Sequence, residues 1–168
     1  MKFELQMRTR NVGIDDYLAT YFSEDFNQLA LGPAKLKQRV LEHYEILADG
    51  CELRRVRMVP DVALPGPVVR LLDGNEVAYH EITRYDPRQR TARLDIESLA
   101  GDVIRVGGQV EFTEASGDVL LQFSGDVRVT VFGLGKLIEK IIIKQVRSRY
   151  ASVEAELQRY VDAGPARH

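Results

Sequence analysis

The sequence lacks the cysteine pairs that stabilise very small domains, the long apolar segments that span membranes, and the cysteine and histidine spacing that binds zinc. It contains a single cysteine, Cys51, so no intramolecular disulfide can form, and no second cysteine or suitably spaced histidine accompanies it. We expect Cys51 to be a small buried side chain on a strand. The nearest approach to a membrane span, LIEKIIIKQV, is interrupted by Glu139, Lys140 and Lys144. It falls short of the roughly 20 apolar residues that a transmembrane helix needs.

A strong charge of either sign is also missing. Lysine and arginine number 23 against 25 aspartates and glutamates, for a formal net charge of -2, and no exposed aromatics are interleaved with a basic patch. These properties disfavour nucleic acid as a partner. Residues 1–10 alternate apolar and polar instead of forming a basic head and an apolar run, so we expect no secretory signal and a cytoplasmic protein.

No established catalytic or cofactor motif appears. The chain has no recognisable Ser-His-Asp set, no pair of histidines at metal-ligand spacing and no phosphate-binding loop, because the glycines of residues 133–136 are too few for one. We therefore expect neither a metal nor a cofactor. His43 and His80 are candidates for acid-base work, but the strand pattern places both on the outward face, and His168 lies in the tail.

The clearest positive signal is a long amphipathic segment, residues 133–163. Its apolar residues recur every three or four positions, the period of a helix. They are Leu134, Leu137, Ile138, Ile141, Ile142, Val146, Tyr150, Val153, Leu157 and Val161. A helix of about 29 residues is roughly 44 Å long, whereas the radius of gyration of such a chain is about 15 Å. The helix must therefore cross the whole domain, which we place at residues 1–168, ordered to about 163 with 164–168 as a tail.

Most of the remaining chain has the two-residue period of strands. Alternation predicts a first strand over residues 2–10, followed by two short helices, 14–22 and 24–31, the second capped by Ser23. Further strands are predicted at about 34–47, 51–58, 76–85, 91–99, 103–113 and 119–131, joined by short turns that make neighbours antiparallel. The sequence thus predicts an α+β fold with a seven-stranded antiparallel sheet.

The width of such a sheet predicts a cavity. Seven strands span roughly 34 Å, but a helix with its side chains is only about 10–12 Å across. The sheet must therefore curl around the long helix, with bends or bulges tolerated at Gly107, Gly108 and Gly125. A strongly curled sheet that grips one helix tends to leave space between them.

Polar residues interrupt the inward face of the middle strands. If Leu36, Val40, Tyr44 and Ile46 face inward, then Gln38 and Glu42 do as well. The pattern from Val77 likewise directs Tyr79, Glu81, Thr83 and Tyr85 inward. Buried carboxylates need partners such as Arg55, Arg57 or a ligand group. Alternatively, a bulge shifts the register and these residues face water.

The order of elements resembles the helix-grip fold of the START-like (SRPBCC-type) superfamily, and more closely a bacterial branch known only as a domain of unknown function. The segments that carry the resemblance are YFSEDFNQ, LPGPVVRLL, the spacing from Gly108 through Phe112 to Gly125, and VFGLGKLIEKIIIKQV. The resemblance implies a single domain that binds a hydrophobic ligand, such as a lipid, a sterol-like compound or an isoprenoid, between sheet and helix. It names no catalytic residue.

Combining the pattern with the resemblance gives a candidate ligand site. Its orienting groups are Glu42, Tyr44, Arg55, Tyr79 and Glu81. Its apolar walls are Leu94, Ile96, Val106, Val110, Phe112, Phe123, Val127, Leu137, Ile138 and Ile141. The proline-containing loop 60–74, with Val68, Val69, Leu71 and Leu72, is the predicted gate.

Two other functions remain open on the sequence. One is an enzyme of the polyketide cyclase or aromatase type, which needs only one or two polar residues to hold an enolisable substrate. The other is an interaction domain with a filled core, docking a protein through loop 60–74 or the long helix. That helix carries a basic stripe, Lys136, Lys140, Lys144 and Arg147, which suits transient contact with an anionic membrane surface but is equally typical of a solvated helix face.

Overall fold

The structure, a computed structural model, describes residues 1–61, 63–71, 77–98 and 101–164. The strands are β1 Lys2–Thr9, β2 Leu36–Ile46, β3 Glu52–Pro60, β4 Tyr79–Asp86, β5 Thr91–Ser98, β6 Ile104–Ala115 and β7 Asp118–Val129. The helices are α1 Ile14–Tyr21, α2 Glu24–Leu29, α3 Gly66–Leu71 and α4 Gly135–Asp162, with a short 3-10 turn at Gly101–Val103. The predicted tail, apart from residue 164, lies outside the described residues.

All seven strands form one antiparallel sheet in the order β1-β7-β6-β5-β4-β3-β2. β1 and β2 are therefore the two edges, and α1 and α2 carry the chain from one edge to the other. The side chain of Ser23 accepts a hydrogen bond of 3.1 Å from the backbone N–H of Phe26 and so caps α2, as the sequence predicts. This is the predicted helix-grip architecture, a sheet curled around one long C-terminal helix.

The core lies between the inner face of the sheet and α4. The alternation of β1 buries Phe3, Met7 and Thr9, and the three-to-four period of α4 buries Ile138 and Leu157. One residue that the sequence pattern missed, Tyr17 of α1, is almost fully buried. It joins a group of rings, with Tyr21, Phe22 and Tyr85, that surrounds Phe112 on β6.

The predicted inward face of β2 is wrong over its middle. The pairing of β2 with β3 is shifted between Leu36 and Gln38 and again between Leu41 and His43. Each extra residue exchanges the two faces, so the shared inner face predicted for Leu36, Gln38, Val40 and Glu42 is lost after Leu36. In its place Arg39 and Leu41 are paired with the buried residues Met58 and Val56.

The second shift restores the predicted parity at the end of β2. Tyr44 is paired with Arg54, whose side chain points inward. Tyr44 itself, however, lies beyond the end of the core. Val40, Tyr44 and Ile46 are consequently 40%, 45% and 67% exposed. These three apolar side chains produced a convincing but misleading alternation.

Glycines in β6 and β7 make room for aromatic rings instead of forming bulges. The pairing of β6 with β7 is continuous from Ile104 to Ala115. A Cβ added at Gly108 would lie 2.5 Å from the Phe123 ring, and one at Gly125 would lie 2.5 Å from the Phe3 ring. The two rings themselves meet edge to face, with centroids 5.2 Å apart.

Candidate ligand-binding site

An apolar cavity of about 220 Å³ lies between the sheet and the first half of α4. We call this space the apolar cavity. Residues from several strands and from α4 form its walls. They include Leu36 of β2, Tyr79 of β4, Ile96 of β5, Val106 of β6, and Ile141, Ile142 and Val146 of α4. Nearly all of its surface is hydrocarbon, because the two-residue period of the strands and the helical period of α4 direct their apolar residues into the same space.

A second, smaller cavity of about 70 Å³ lies further along the same strands. We call it the polar cavity, because charged and hydroxyl side chains interrupt its apolar wall. The polar members are Tyr21, Asn27, Arg39, Arg54, Glu81, Thr83, Arg149 and Tyr150. Three guanidinium groups thus face one carboxylate, that of Glu81, among the described residues that line this space.

Arg149 of α4 lines both cavities and stands between them. Its Nη1 donates a hydrogen bond of 2.7 Å to Tyr79 Oη, and its Nη2 lies 3.1 Å from Met58 Sδ. Burial acts to lower the pKa of the guanidinium, but the attraction of Tyr79 and Glu81 outweighs it, so the pKa is raised. The group therefore remains charged although it is partly buried.

The tyrosines around Arg149 remain neutral hydroxyls. Burial, followed by repulsion from Glu81, raises the pKa of Tyr21 to about 12. Burial also raises the pKa of Tyr79, although the neighbouring Arg149 acts in the opposite direction, and burial raises the pKa of Tyr150 well above its usual value. A neutral phenol can both donate and accept, so these residues can hydrogen-bond a ligand's head group of either kind.

The other two arginines of the polar cavity have partners at its rim. Arg39 forms an ion pair with Glu24 of α2. The guanidinium of Arg54 stacks over the rings of Phe22 and Tyr44, at 4.5 Å and 4.9 Å from their centroids, and its Nη1 lies 3.6 Å from Glu52 Oε2. These contacts link α1 and α2 to β2 and β3 and close one end of the cavity.

The structure brings together eight of the fifteen predicted site residues. Tyr79, Ile96, Val106 and Ile141 line the apolar cavity, and Glu81, Leu94, Val110 and Phe112 line the polar one. Phe123, Val127 and Ile138 are buried in the core but line neither cavity, and Leu137 is exposed on α4. Their placement agrees with the fold, whereas a role in ligand binding stays a prediction for all of them.

Three predicted orienting groups lie elsewhere. Glu42 and Arg55 are on the outer face of the sheet, contrary to the prediction, because Glu42 is the extra residue of the second β2 bulge. There Glu42 Oε2 lies 2.9 Å from His80 Nε2, and Arg55 Nη1 donates to Glu97 Oε2 at 2.8 Å. Tyr44 shares the inner parity but lies at the sheet's end, where its hydroxyl donates to Glu52 Oε1 at 2.6 Å.

The sequence pattern missed Arg149, the residue that separates the two cavities. It follows Val146 by three residues and precedes Val153 by four, so it occupies the apolar stripe of α4 and not the basic one. A cation within an apolar stripe was the available signal. Arg39 and Arg54 were missed because the bulges of β2 and the mixed composition of β3 concealed which face they occupy.

Part of the predicted gate and all of the predicted basic stripe can be located. Leu64 lines the apolar cavity and Val69 of α3 is exposed, whereas residues 62 and 72–74 and the side chains of Val68 and Leu71 lie outside what is described. The stripe of Lys136, Lys140, Lys144 and Arg147 faces solvent, next to the exposed Phe132 and Leu137. Its contact with an anionic membrane surface stays a prediction.

Across the described ranges, no helix combines the length and apolar character needed to cross a membrane. Within the same ranges, no three His, Cys, Asp or Glu side chains are grouped so as to hold a metal ion.

Solved structures of three proteins share this fold. A protein from Thermus thermophilus is 18% identical, with a TM-score of 0.65 over 98% of this chain and 100% of that one. The Zhui aromatase/cyclase from a Streptomyces species is 13% identical, with a TM-score of 0.68 over 99% of each chain. A START superfamily protein from Mycobacterium smegmatis is 13% identical, with a TM-score of 0.61 over 95% of this chain and 98% of that one. At these identities the likeness establishes the fold alone.

Comparison at the level of sequence gives one match. The profile of a family described as "Protein of unknown function (DUF2505)" matches residues 7–161, nearly the whole chain. No curated protein matches the sequence.

Proposed function

Because this chain belongs to the DUF2505 family and has the helix-grip fold of START-like proteins, we propose that it binds a hydrophobic small molecule between its sheet and α4. The observation that carries the proposal is the apolar cavity, which is lined largely by hydrocarbon side chains and also by a few polar ones, among them Arg149 and Tyr79. Ligand sites generally combine an apolar wall with a few convergent polar groups that orient the ligand.

The volume of the cavity limits the size of that molecule. At about 30 Å³ per water-sized unit, 220 Å³ holds roughly seven non-hydrogen atoms. A short acyl chain or a small isoprenoid therefore fits the cavity as it stands. A sterol-like ligand is larger than this volume and would extend beyond the described lining of the cavity.

The direct experiment is native mass spectrometry of the protein purified from its own host, followed by solvent extraction and identification of what is bound. We expect one apolar species in near-stoichiometric amount. The proposal is contradicted if the protein is empty and also fails to take up fluorescent fatty acids or sterols. That result would favour an interaction domain with a filled core.

Filling the cavity should abolish uptake without unfolding the protein. In the Val106→Phe variant the larger ring projects into the apolar cavity, so we expect a loss of at least about tenfold in affinity for a fluorescent fatty acid. Val40→Phe is the matched control, because Val40 faces outward on β2 and is 40% exposed. Equal uptake by both variants, measured by fluorescence titration, would place the ligand outside the apolar cavity.

A cyclase or aromatase activity is the second candidate, and the polar cavity is what favours it. Tyr79 and Glu81 lie on the same face of β4, next to a permanently charged guanidinium that could stabilise an enolate. This hypothesis predicts turnover of a reactive poly-ketone, falling about 100-fold or more in Glu81→Gln or Tyr79→Phe while the circular dichroism spectrum is unchanged. Turnover that is absent in the native protein, or unaffected by both substitutions, rejects it.

A further inference from the structure

The environment of Arg149 is unusual for a partly buried cation. Among the residues that the structure describes, its guanidinium donates hydrogen bonds only to Tyr79 Oη and to the weakly accepting Met58 Sδ, and no carboxylate lies within 4.0 Å. Arg39 and Arg54, by contrast, each have a glutamate partner. Glu81 attracts the guanidinium from a longer distance, so the charge is partly compensated but has no direct ion pair, and its fork can still pair with the carboxylate of a ligand.

The position of Arg149 relates its charge to the apolar cavity. Arg149 and Tyr79 line a space whose other walls are mostly apolar, and they lie where it borders the polar cavity. A guanidinium without a direct ion pair at the wall of an apolar space suits the anionic head group of a ligand. The planar fork of an arginine also matches a carboxylate in a bidentate arrangement.

We infer that the ligand is a medium-chain carboxylic acid, bound with its carboxylate on Arg149 and Tyr79 and its hydrocarbon tail in the apolar cavity. This inference rests on the proposed function, since it assigns the head group of the molecule that the apolar cavity holds. The volume of 220 Å³ matches a tail of roughly seven carbons, so octanoate is the appropriate probe.

A competing source of positive charge also lines the apolar cavity. Lys35 lines the cavity near Leu36 and Pro60, and its exposed ammonium could attract a carboxylate at the mouth. Substitution of Lys35 therefore distinguishes this arrangement from binding at Arg149.

The test is isothermal titration of the full-length protein with octanoate and with 1-octanol, which differ only in the head group. We expect the native protein to bind octanoate about 10- to 100-fold more tightly than octanol, the range typical of a charge-assisted hydrogen bond. Arg149→Met should remove this preference by weakening octanoate alone, and Arg149→Lys should retain part of it. Lys35→Met should leave the preference intact.

The possible failures are distinguishable. Equal affinity of the native protein for the two probes, or a preference lost in Lys35→Met but kept in Arg149→Met, overturns the inference and leaves the proposed function standing. Binding of neither probe, nor of longer and shorter homologues, counts against both. Thermal unfolding checks that the variants fold. If Arg149→Met does not fold, the comparison of Arg149→Lys with the native protein decides. If Arg149→Lys binds octanoate as tightly as the native protein does, and binds octanol equally tightly, bidentate recognition by Arg149 is ruled out.

Discussion

Replacing Phe112 with alanine is expected to lower the free energy of unfolding by about 3–5 kcal/mol, the usual range for a large buried aromatic. Phe112 is 3% exposed and its ring contacts four others, with centroids 5.3–6.1 Å away. Three of those rings come from α1 and the residue after it, and the fourth is Tyr85 of β4. Removing the central ring therefore loosens α1 from the sheet and leaves a void beside the polar cavity.

Urea denaturation followed by circular dichroism measures the effect. Phe132→Ala is the control, because Phe132 is fully exposed and its loss should change stability by no more than about 0.5 kcal/mol. If both variants unfold at the same urea concentration, the ring cluster does not hold α1 on the sheet. If Phe112→Ala lowers both the free energy of unfolding and the affinity for a ligand probe, the same rings also maintain the polar cavity.

The elements that the sequence predicts well are those whose two faces differ sharply in polarity. β1 alternates strictly, so Phe3, Met7 and Thr9 are buried as expected, and the long period of α4 predicts its span to within two residues. Short turns at each strand end then determine which strands are neighbours. The seven-stranded sheet and the gripping helix follow from these local signals, because the width of the sheet leaves no other way to cover its inner face.

The candidate site was predicted less completely, because it depends on long-range placement. On β2 the apolar Val40 and Ile46 are exposed, and the two bulges leave no mark in the hydrophobic pattern, so Glu42 was assigned to the wrong face. β4 has no bulge in its pairing with β3 and β5, and Tyr79 and Glu81 were assigned correctly. A strand's alternation thus locates a side chain only where its register is regular.

Arg149 illustrates a different difficulty. Its position in the apolar stripe could be read from the sequence, but its partners Tyr79 and Met58 are 70 and 91 residues away. Whether a cation in a helical stripe is buried, or extends along its alkyl stem to solvent, depends on what covers that part of the helix. Here the inner faces of β3 and β4 cover much of it, so the guanidinium is partly buried and lines both cavities.

Gly108→Ala is the second substitution expected to have a large effect, since there is no room for a Cβ at this position. The added Cβ would overlap the backbone oxygen of Ser124 and would lie 2.5 Å from the ring of Phe123. The ring could move, but Ser124 belongs to β7, whose continuous pairing with β6 fixes its backbone. We expect a loss of about 3 kcal/mol, at the upper end of the usual cost of overpacking.

For a domain of this size, such a loss lowers the melting temperature by about 6–12 °C, measured by differential scanning calorimetry. Gly32→Ala is the matched control, because its Cβ would meet no atom within 4 Å and its backbone is not in the left-handed region. A melting temperature unchanged by Gly108→Ala would mean that β6 and β7 are further apart than the structure shows.

Because Val106 and Val110 flank Gly108 on the inner face, a real displacement of β6 would also widen both cavities and weaken binding of a small probe. Loss of stability accompanied by loss of probe affinity would therefore link the close strand packing at Gly108 to the shape of the ligand site.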